Sequence, residues 1–233
     1  MSENVLGAPV AGWTPPPHPP RAVLAGRRVR LEPFEERHIA GLFQAYAEDD
    51  GSMWDYMPVG PFPEERAFGD WFRAQRQSND PLYFAVCDGE TGAALGQATF
   101  MRIKPDAGSI EVGFIAFSPR LRQTVLTTEA MYLMMAWAFE AGYRRYEWKC
   151  NALNRASCRA AERLGFTYEG IHRHAQVVKG RNRDSAWFSI LDTEWPLRKA
   201  ALEAWLAPKN FDAAGLQMVS LASLRSEATS VAE

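Results

Sequence analysis

The run from Ser109 to Phe117 alternates Ile110, Val112, Phe114 and Ala116 with Glu111, Gly113, Ile115 and Phe117. A two-residue period puts these sets on opposite faces of a strand, and Ser118-Pro119 ends it because proline cannot continue a central ladder. Thr124 to Ala141 follows with apolar side chains nearly all round, which predicts a buried helix stopped by Gly142. Tyr146, Trp148 and Cys150 then alternate with Arg145, Glu147 and Lys149, a second strand over Arg144 to Cys150. Asn154 is a natural N-cap for a helix whose inner face is Ser157, Cys158, Ala161 and Leu164, with Gly165 as its stop.

The same patterns extend outward from this centre. Arg27 to Glu32 reads as a first strand, Glu36 to Ala47 and Glu64 to Gln77 as helices, and Leu82 to Asp88 and Ala93 to Ile103 as strands joined by the turn Asp88-Gly89-Glu90-Thr91-Gly92. Phe166 to His174 and Asp184 to Glu194 read as two further strands, and Pro196 to Ala207 as a short helix. Residues 1–26 form a proline-rich arm and 27–195 the folded domain, while 196–233 are a C-terminal helix and a weakly packed tail. Strands and helices in this order predict a mixed α/β (α+β) domain. Its sheet is largely antiparallel and flanked by helices, and a strand–helix–strand crossover at the centre supplies the one parallel pairing. The loop Asp49 to Pro63 carries Trp54, Tyr56, Met57 and Phe62, which either plug the edge of the core or wall a pocket.

Composition narrows the function classes. A net charge of -2 over 233 residues gives no global reason to expect nucleic acid. No signal peptide is expected, because no basic segment precedes an apolar one at the N-terminus, and no membrane span is expected either. Cys87, Cys150 and Cys158 are odd in number and contain no C-x-x-C, so they read as free thiols of a cytoplasmic protein and not as zinc ligands. His172 and His174 alternate on one strand without a third ligand nearby, so no metal is expected.

Thr128-Glu129-Ala130, Ala138-Phe139-Glu140, Asn154-Arg155-Ala156-Ser157, Arg163-Leu164-Gly165-Phe166, Glu169-Gly170 and Arg183-Asp184 occur in the order and spacing of a known family. In this the chain resembles the GNAT acetyltransferases, in particular their RimJ/RimL-like branch, over about Arg27 to Trp195. The resemblance implies that acetyl-CoA lies between the strands Ile110–Phe117 and Tyr146–Cys150, with backbone groups of Phe114, Ile115, Ala116 and Phe117 pairing with its pantetheine arm. It also implies that the pyrophosphate sits on the amides of Arg122-Gln123-Thr124-Val125-Leu126-Thr127. The family turn has glycine where this chain has Val125, and valine neither allows close approach nor favours positive φ.

The implied chemistry is direct attack of an amine on the thioester, which needs positioning and two proton transfers. By resemblance Ser157 protonates the departing thiolate and Asn154 holds the pantetheine or a bridging water, although Asn154 also reads as a plain N-cap. Backbone amides from Gly113 to Ile115 would stabilise the oxyanion. Glu111 is the candidate base, or else a surface charge, and Tyr168 is a fallback acid. Trp54, Tyr56 and Met57 would line the acceptor side. The acceptor is then a small-molecule amine or a peptide N-terminus, and a homodimer through the C-terminal strands stays open. The other reading is a degenerate, non-catalytic domain that binds acyl-CoA or serves as an interaction module.

Overall fold

The computed structural model describes residues 7–232, with side chains as far as residue 226. The first six residues of the proline-rich arm and residue 233 of the tail lie outside the described residues. Two short N-terminal strands, β1 (Leu24–Ala25) and β2 (Val29–Pro33), precede helices α1 (His38–Ala47) and α2 (Glu65–Arg76). Three strands follow, β3 (Leu82–Asp88), β4 (Ala94–Lys104) and β5 (Ser109–Phe117), and then helix α3 (Val125–Glu140). Strand β6 (Arg145–Asn151) and helix α4 (Arg155–Leu164) lead into a long hairpin of β7 (Thr167–Val178) and β8 (Arg181–Leu191). Helices α5 (Trp195–Leu206) and α6 (Leu221–Ala232) close the chain.

Among the described residues eight strands form one sheet in the order β1-β2-β3-β4-β5-β6-β8-β7. Only β5 and β6 run parallel, so the expected mixed sheet with a single central crossover is what forms. Alternation along the strands creates two cores. Phe84, Phe100, Ile110, Val112, Tyr146 and Trp148 face α3 and α4, while Tyr83, Ala85 and Cys87 face α1 and α2. A fully buried phenylalanine such as Phe84 or Phe100 contributes about 2 kcal/mol through the apolar area it removes from water.

The acidic residue of the Thr128-Glu129-Ala130 run has a structural task. Glu129 is buried and accepts hydrogen bonds from the amides of Arg27 (2.6 Å) and Arg28 (3.0 Å), which ties the start of the sheet to α3. A side chain at Gly26 would meet this carboxylate at 2.7 Å.

Several expectations change. The hairpin strands extend to Val178 and start again at Arg181, because Lys179 and Gly180 take the left-handed conformations of a two-residue turn. The segment after Pro208 is anchored at Asn210 and Leu221, although residues 212–219 between them are exposed. Buried Asn210 donates to the carbonyls of Trp205 and Val219 and accepts from Val219 N–H, which folds the chain back so that Leu221 enters the core. The proline arm is also anchored: Tyr143 Oη donates to Pro17 O at 3.0 Å, and Arg21 donates to the carbonyl of Arg76. No helix among the described residues is long and apolar enough to cross a membrane.

Candidate active site

Strands β5 and β6 pair only from Ser109 with Arg145 to Val112 with Trp148. Past that point they part, and the backbone of β5 from Gly113 onward faces an opening. The separation has a local cause. Phe114 takes a φ of 45° in a bulge where Gln97 and Thr99 of β4 oppose Ala116 and Gly113. Thr99 Oγ1 donates to Gly113 O (2.9 Å) and Gln97 Nε2 to Phe114 O (3.3 Å), so two buried polar side chains of β4 support the bulge. A Cβ at Gly113 would meet the Met101 sulfur, so any larger residue here would have to displace that side chain.

The turn after β5 delivers the chain to the N-terminus of α3. Thr124 precedes that helix without capping it: its hydroxyl donates to Leu121 O (2.7 Å), and that of Thr127 donates to Thr124 O (2.8 Å). The amides of Val125, Leu126 and Thr127 have no acceptor within the helix, and no side chain among the described residues takes them. Amides at an open helix N-terminus of this kind are able to receive an anion. Gln123 has the left-handed φ of 59°, while Val125 is the first helical residue and has no positive φ. The missing glycine therefore imposes no backbone strain at 125. Arg122 donates to Phe117 O (2.9 Å) and pairs with buried Asp49 (2.7 Å), so its guanidinium pins the loop Asp49–Met53 against the turn.

Helix α4 begins beside this opening. Asn154 Oδ1 accepts from Ser157 N–H (3.0 Å), the capping bond its position demands. Its Nδ2 makes no hydrogen bond among the described residues. Trp148 Nε1 donates to Ser157 Oγ at 3.0 Å, which orients the serine and leaves its own proton to give. Below it, Cys150 and Cys158 touch through their sulfurs at 3.6 Å, and burial pushes the Cys150 thiol up to about 12.

Glu111 lies on the opposite face of the sheet from Ser157, because Val112 and Trp148 share one face and Glu111 and Glu147 the other. Its carboxylate is buried and paired with Arg102 (2.7 Å) and Lys149 (2.9 Å). Lys149 also pairs with Glu147 (2.7 Å) and sits 3.7 Å over the Trp187 ring. Burial opposes the charge on Glu147, but Arg145 and Lys149 more than offset it and hold its carboxyl below the usual range.

These pieces line one cavity of about 1120 Å³. Ile115, Ala116, Phe117, Arg122, Gln123, Thr124, Val125, Thr127, Asn154, Ser157 and Tyr56 all border it; Glu111, Phe114, Leu126, Trp54 and Met57 do not. Leu126 turns into the α3 core, and the Phe114 ring packs 5.6 Å from Tyr83. Trp54 is buried edge-on to Tyr46 and Phe62, so it plugs the core, while Ser52, Met53 and Asp55 of the same loop reach the cavity. Sequence reasoning missed Trp148, Arg159, Arg163 and the wall made by Trp205, Phe211 and Gly215 to Gln217. The three- and four-residue spacing of Ala156, Arg159, Ala160 and Arg163 along α4 could have revealed the two arginines; nothing in the local pattern announces the C-terminal wall.

A second polar cluster lies away from this cavity. Ligand-type atoms of Glu32, His38 and Cys87, all buried, come within 4.8 Å of one another. Each has another task. His38 accepts from Glu35 N–H at Nδ1 and donates from Nε2 to Glu32 (3.0 Å), while Arg30 and Arg37 complete the pairing of Glu32. Burial pushes the Cys87 thiol up to about 12. The two arginines disfavour a cation, so the donor set fits a hydrogen-bonded strut and not a metal.

Comparison with known proteins follows the same lines. The acetyltransferase (GNAT) domain family matches residues 28–167. A GCN5-related N-acetyltransferase from Brucella melitensis is 46% identical, covers 93% of this chain and 100% of its own, and superposes with a TM-score of 0.91. At 17% identity two others share the fold. RimL, a ribosomal L7/L12 α-N-protein acetyltransferase, covers 73% of this chain and 94% of its own (TM-score 0.63). The Microcin C7 self-immunity acetyltransferase MccE, in complex with acetyl-CoA and AMP, covers 71% and 93% (TM-score 0.64). No curated protein sequence matches the chain. With a family match over more than half its length and a close relative spanning nearly all of it, the chain belongs to the GNAT acetyltransferases.

Proposed function

We propose that this acetyltransferase moves the acetyl group of acetyl-CoA directly onto an amino group, either of a small molecule or of a peptide N-terminus. The observation that carries the reading is the parting of β5 from β6 beyond Val112 and Trp148, in one cavity with the uncapped start of α3 and with Ser157. The free edge of β5 from Phe114 to Phe117 suits the amides of a pantetheine arm, and the amides of Val125 to Thr127 suit a pyrophosphate. Asn154 Nδ2 is free to donate to a pantetheine carbonyl.

With the thioester in the gap, the two faces of the sheet divide the proton work. The amine approaches from the face of Glu111, and the thiolate departs toward Ser157. Ser157 already accepts from Trp148 and so passes its proton to the leaving sulfur while taking a replacement proton from solvent water. Glu111 is paired with two cations, and it takes the amine proton through a water or through an N–H that displaces Arg102. Amides of Gly113 to Ile115 stabilise the oxyanion. Tyr56, whose hydroxyl donates to Leu153 O at 3.4 Å, borders the acceptor entrance.

The free thiols suit a cytoplasmic setting, and the long exposed edge strand β7 suits a homodimer, which light scattering would test. The test of function is purified protein with acetyl-CoA and a panel of alanyl, seryl and small-molecule amines, followed by thiol release. Release that depends on the amine and falls in Ser157→Ala supports the reading. Micromolar CoA binding without release for any amine would favour the non-catalytic alternative.

A further inference from the structure

The cavity has a wall that the matched family region, residues 28–167, does not supply. It comes from the end of α5 and the loop after it, and it meets the groove at the last turn of α4. Arg163 links the parts: its guanidinium lies 4.9 Å over the Trp205 ring and donates to Thr128 Oγ1 (3.0 Å) on the first turn of α3. Arg163 lies six positions after Ser157, about 9 Å along a helix. A ligand with its thioester at Ser157 and its pyrophosphate at the start of α3 brings its nucleoside to this wall.

The loop is built rather than loose. Asn210, 6% exposed, holds the backbone of Trp205 and Val219, and Met218 N–H returns to Asn210 O (2.7 Å). Gln217 Oε1 accepts from Trp205 Nε1 (2.7 Å), which fixes the amide and leaves Nε2 without a hydrogen bond among the described residues. Leu216 borders the cavity yet is 66% exposed. An ordered loop that presents an apolar side chain and a fixed N–H donor to a groove matches a flat heteroaromatic ring with acceptor nitrogens on its edge.

We propose that Leu216 and Gln217 recognise the adenine of acetyl-CoA, Leu216 covering a face of the ring and Gln217 Nε2 donating to a ring nitrogen. The proposal rests on acetyl-CoA occupying the groove. It makes the C-terminal segment part of donor recognition and leaves acetyl transfer itself to the central elements.

Calorimetry on the full chain tests it with three probes: CoA, 3′-dephospho-CoA and 4′-phosphopantetheine, the last lacking the nucleoside. Leu216→Ser, and Gln217→Glu, which keeps an oxygen for Trp205 while removing the donor, should each weaken CoA and 3′-dephospho-CoA about tenfold. Binding of 4′-phosphopantetheine should change by less than about twofold, and Leu216→Trp should tighten CoA by stacking. Thermal midpoints near wild type would show that the variants fold. Equal effects on all three probes, or none on any, overturn the proposal while the acetyl-CoA reading stands. Wild-type protein that binds no CoA overturns both.

Discussion

Trp148 decides what Ser157 can do. The indole donates to the hydroxyl oxygen, so the serine proton is the one left to give. Ser157→Ala should lower kcat about tenfold to a hundredfold with little change in KM for acetyl-CoA, since a thiolate is already a fair leaving group. Steady-state kinetics decide it, and an unchanged kcat would remove Ser157 from the chemistry. Glu111→Gln carries two consequences that separate. Losing the carboxylate leaves buried Lys149 with Glu147 alone and Arg102 unpaired, at a cost of about 3 kcal/mol, readable by denaturant unfolding. A base role adds a kinetic mark: the activity deficit should shrink as pH rises, because a deprotonated amine needs no base. A deficit constant across pH would make Glu111 structural. Asn154 was legible in the sequence because capping and ligand contact both favour it at that spacing. The pairing of Glu111 was not, because Arg102 reaches it through a bulge where Arg102 itself takes a φ of 45°.

At the level of elements, the departure of the turn from its family pattern loses much of its weight. The left-handed residue is Gln123, two places before Val125, so the chain meets the geometric need of the turn elsewhere. Val125→Gly should destabilise the start of α3 by about 0.5 kcal/mol and leave CoA affinity within about threefold. Thermal unfolding and calorimetry check the two effects, and a tenfold gain in CoA affinity would show that the valine obstructs the phosphate. The strands and α4 around this turn were readable because their period and caps agree, whereas α3 was readable from an apolar run that ends at Gly142 and carries no cap at its start. The parting of β5 and β6 was not readable as geometry. It depends on where parallel pairing stops, and that is set by Thr99 and Gln97 of a neighbouring strand. The fate of Trp54 was open for a similar reason. An aromatic loop either plugs or lines, and the cis Gly60-Pro61 loop that lays Gly60 against the Trp54 indole is a tertiary fact.

Across the whole molecule, sites far apart in sequence are joined by buried charge. The strut at His38 gives this a measurable form, because β2, α1 and β3 meet there. Burial, joined by the charge of Arg37, outweighs the pull of Glu32 and holds His38 below its usual 6.5. Glu32 is pushed up by burial, but His38, Arg30 and Arg37 more than offset this and keep it below its usual 4.5. Glu35 and Cys87 complete the surroundings. Because the native His38 resists protonation, the unfolded chain binds the extra proton as pH falls through 6.5, and native stability drops from there until His38 itself protonates. Glu32 acts later with the same sense: its contribution is complete above 4.5 and is lost as pH falls through its depressed native value. The thermal midpoint should therefore decline in two stages on acidification. His38→Gln retains a donor for Glu32 but cannot titrate, so it should be less stable than wild type at pH 8 and lose the first stage. Midpoints measured at pH 8, 6.5 and 5 separate the cases. Parallel curves for wild type and variant would mean that His38 takes up its proton as readily in the native state as in the unfolded chain, and that the decline belongs to carboxylates elsewhere.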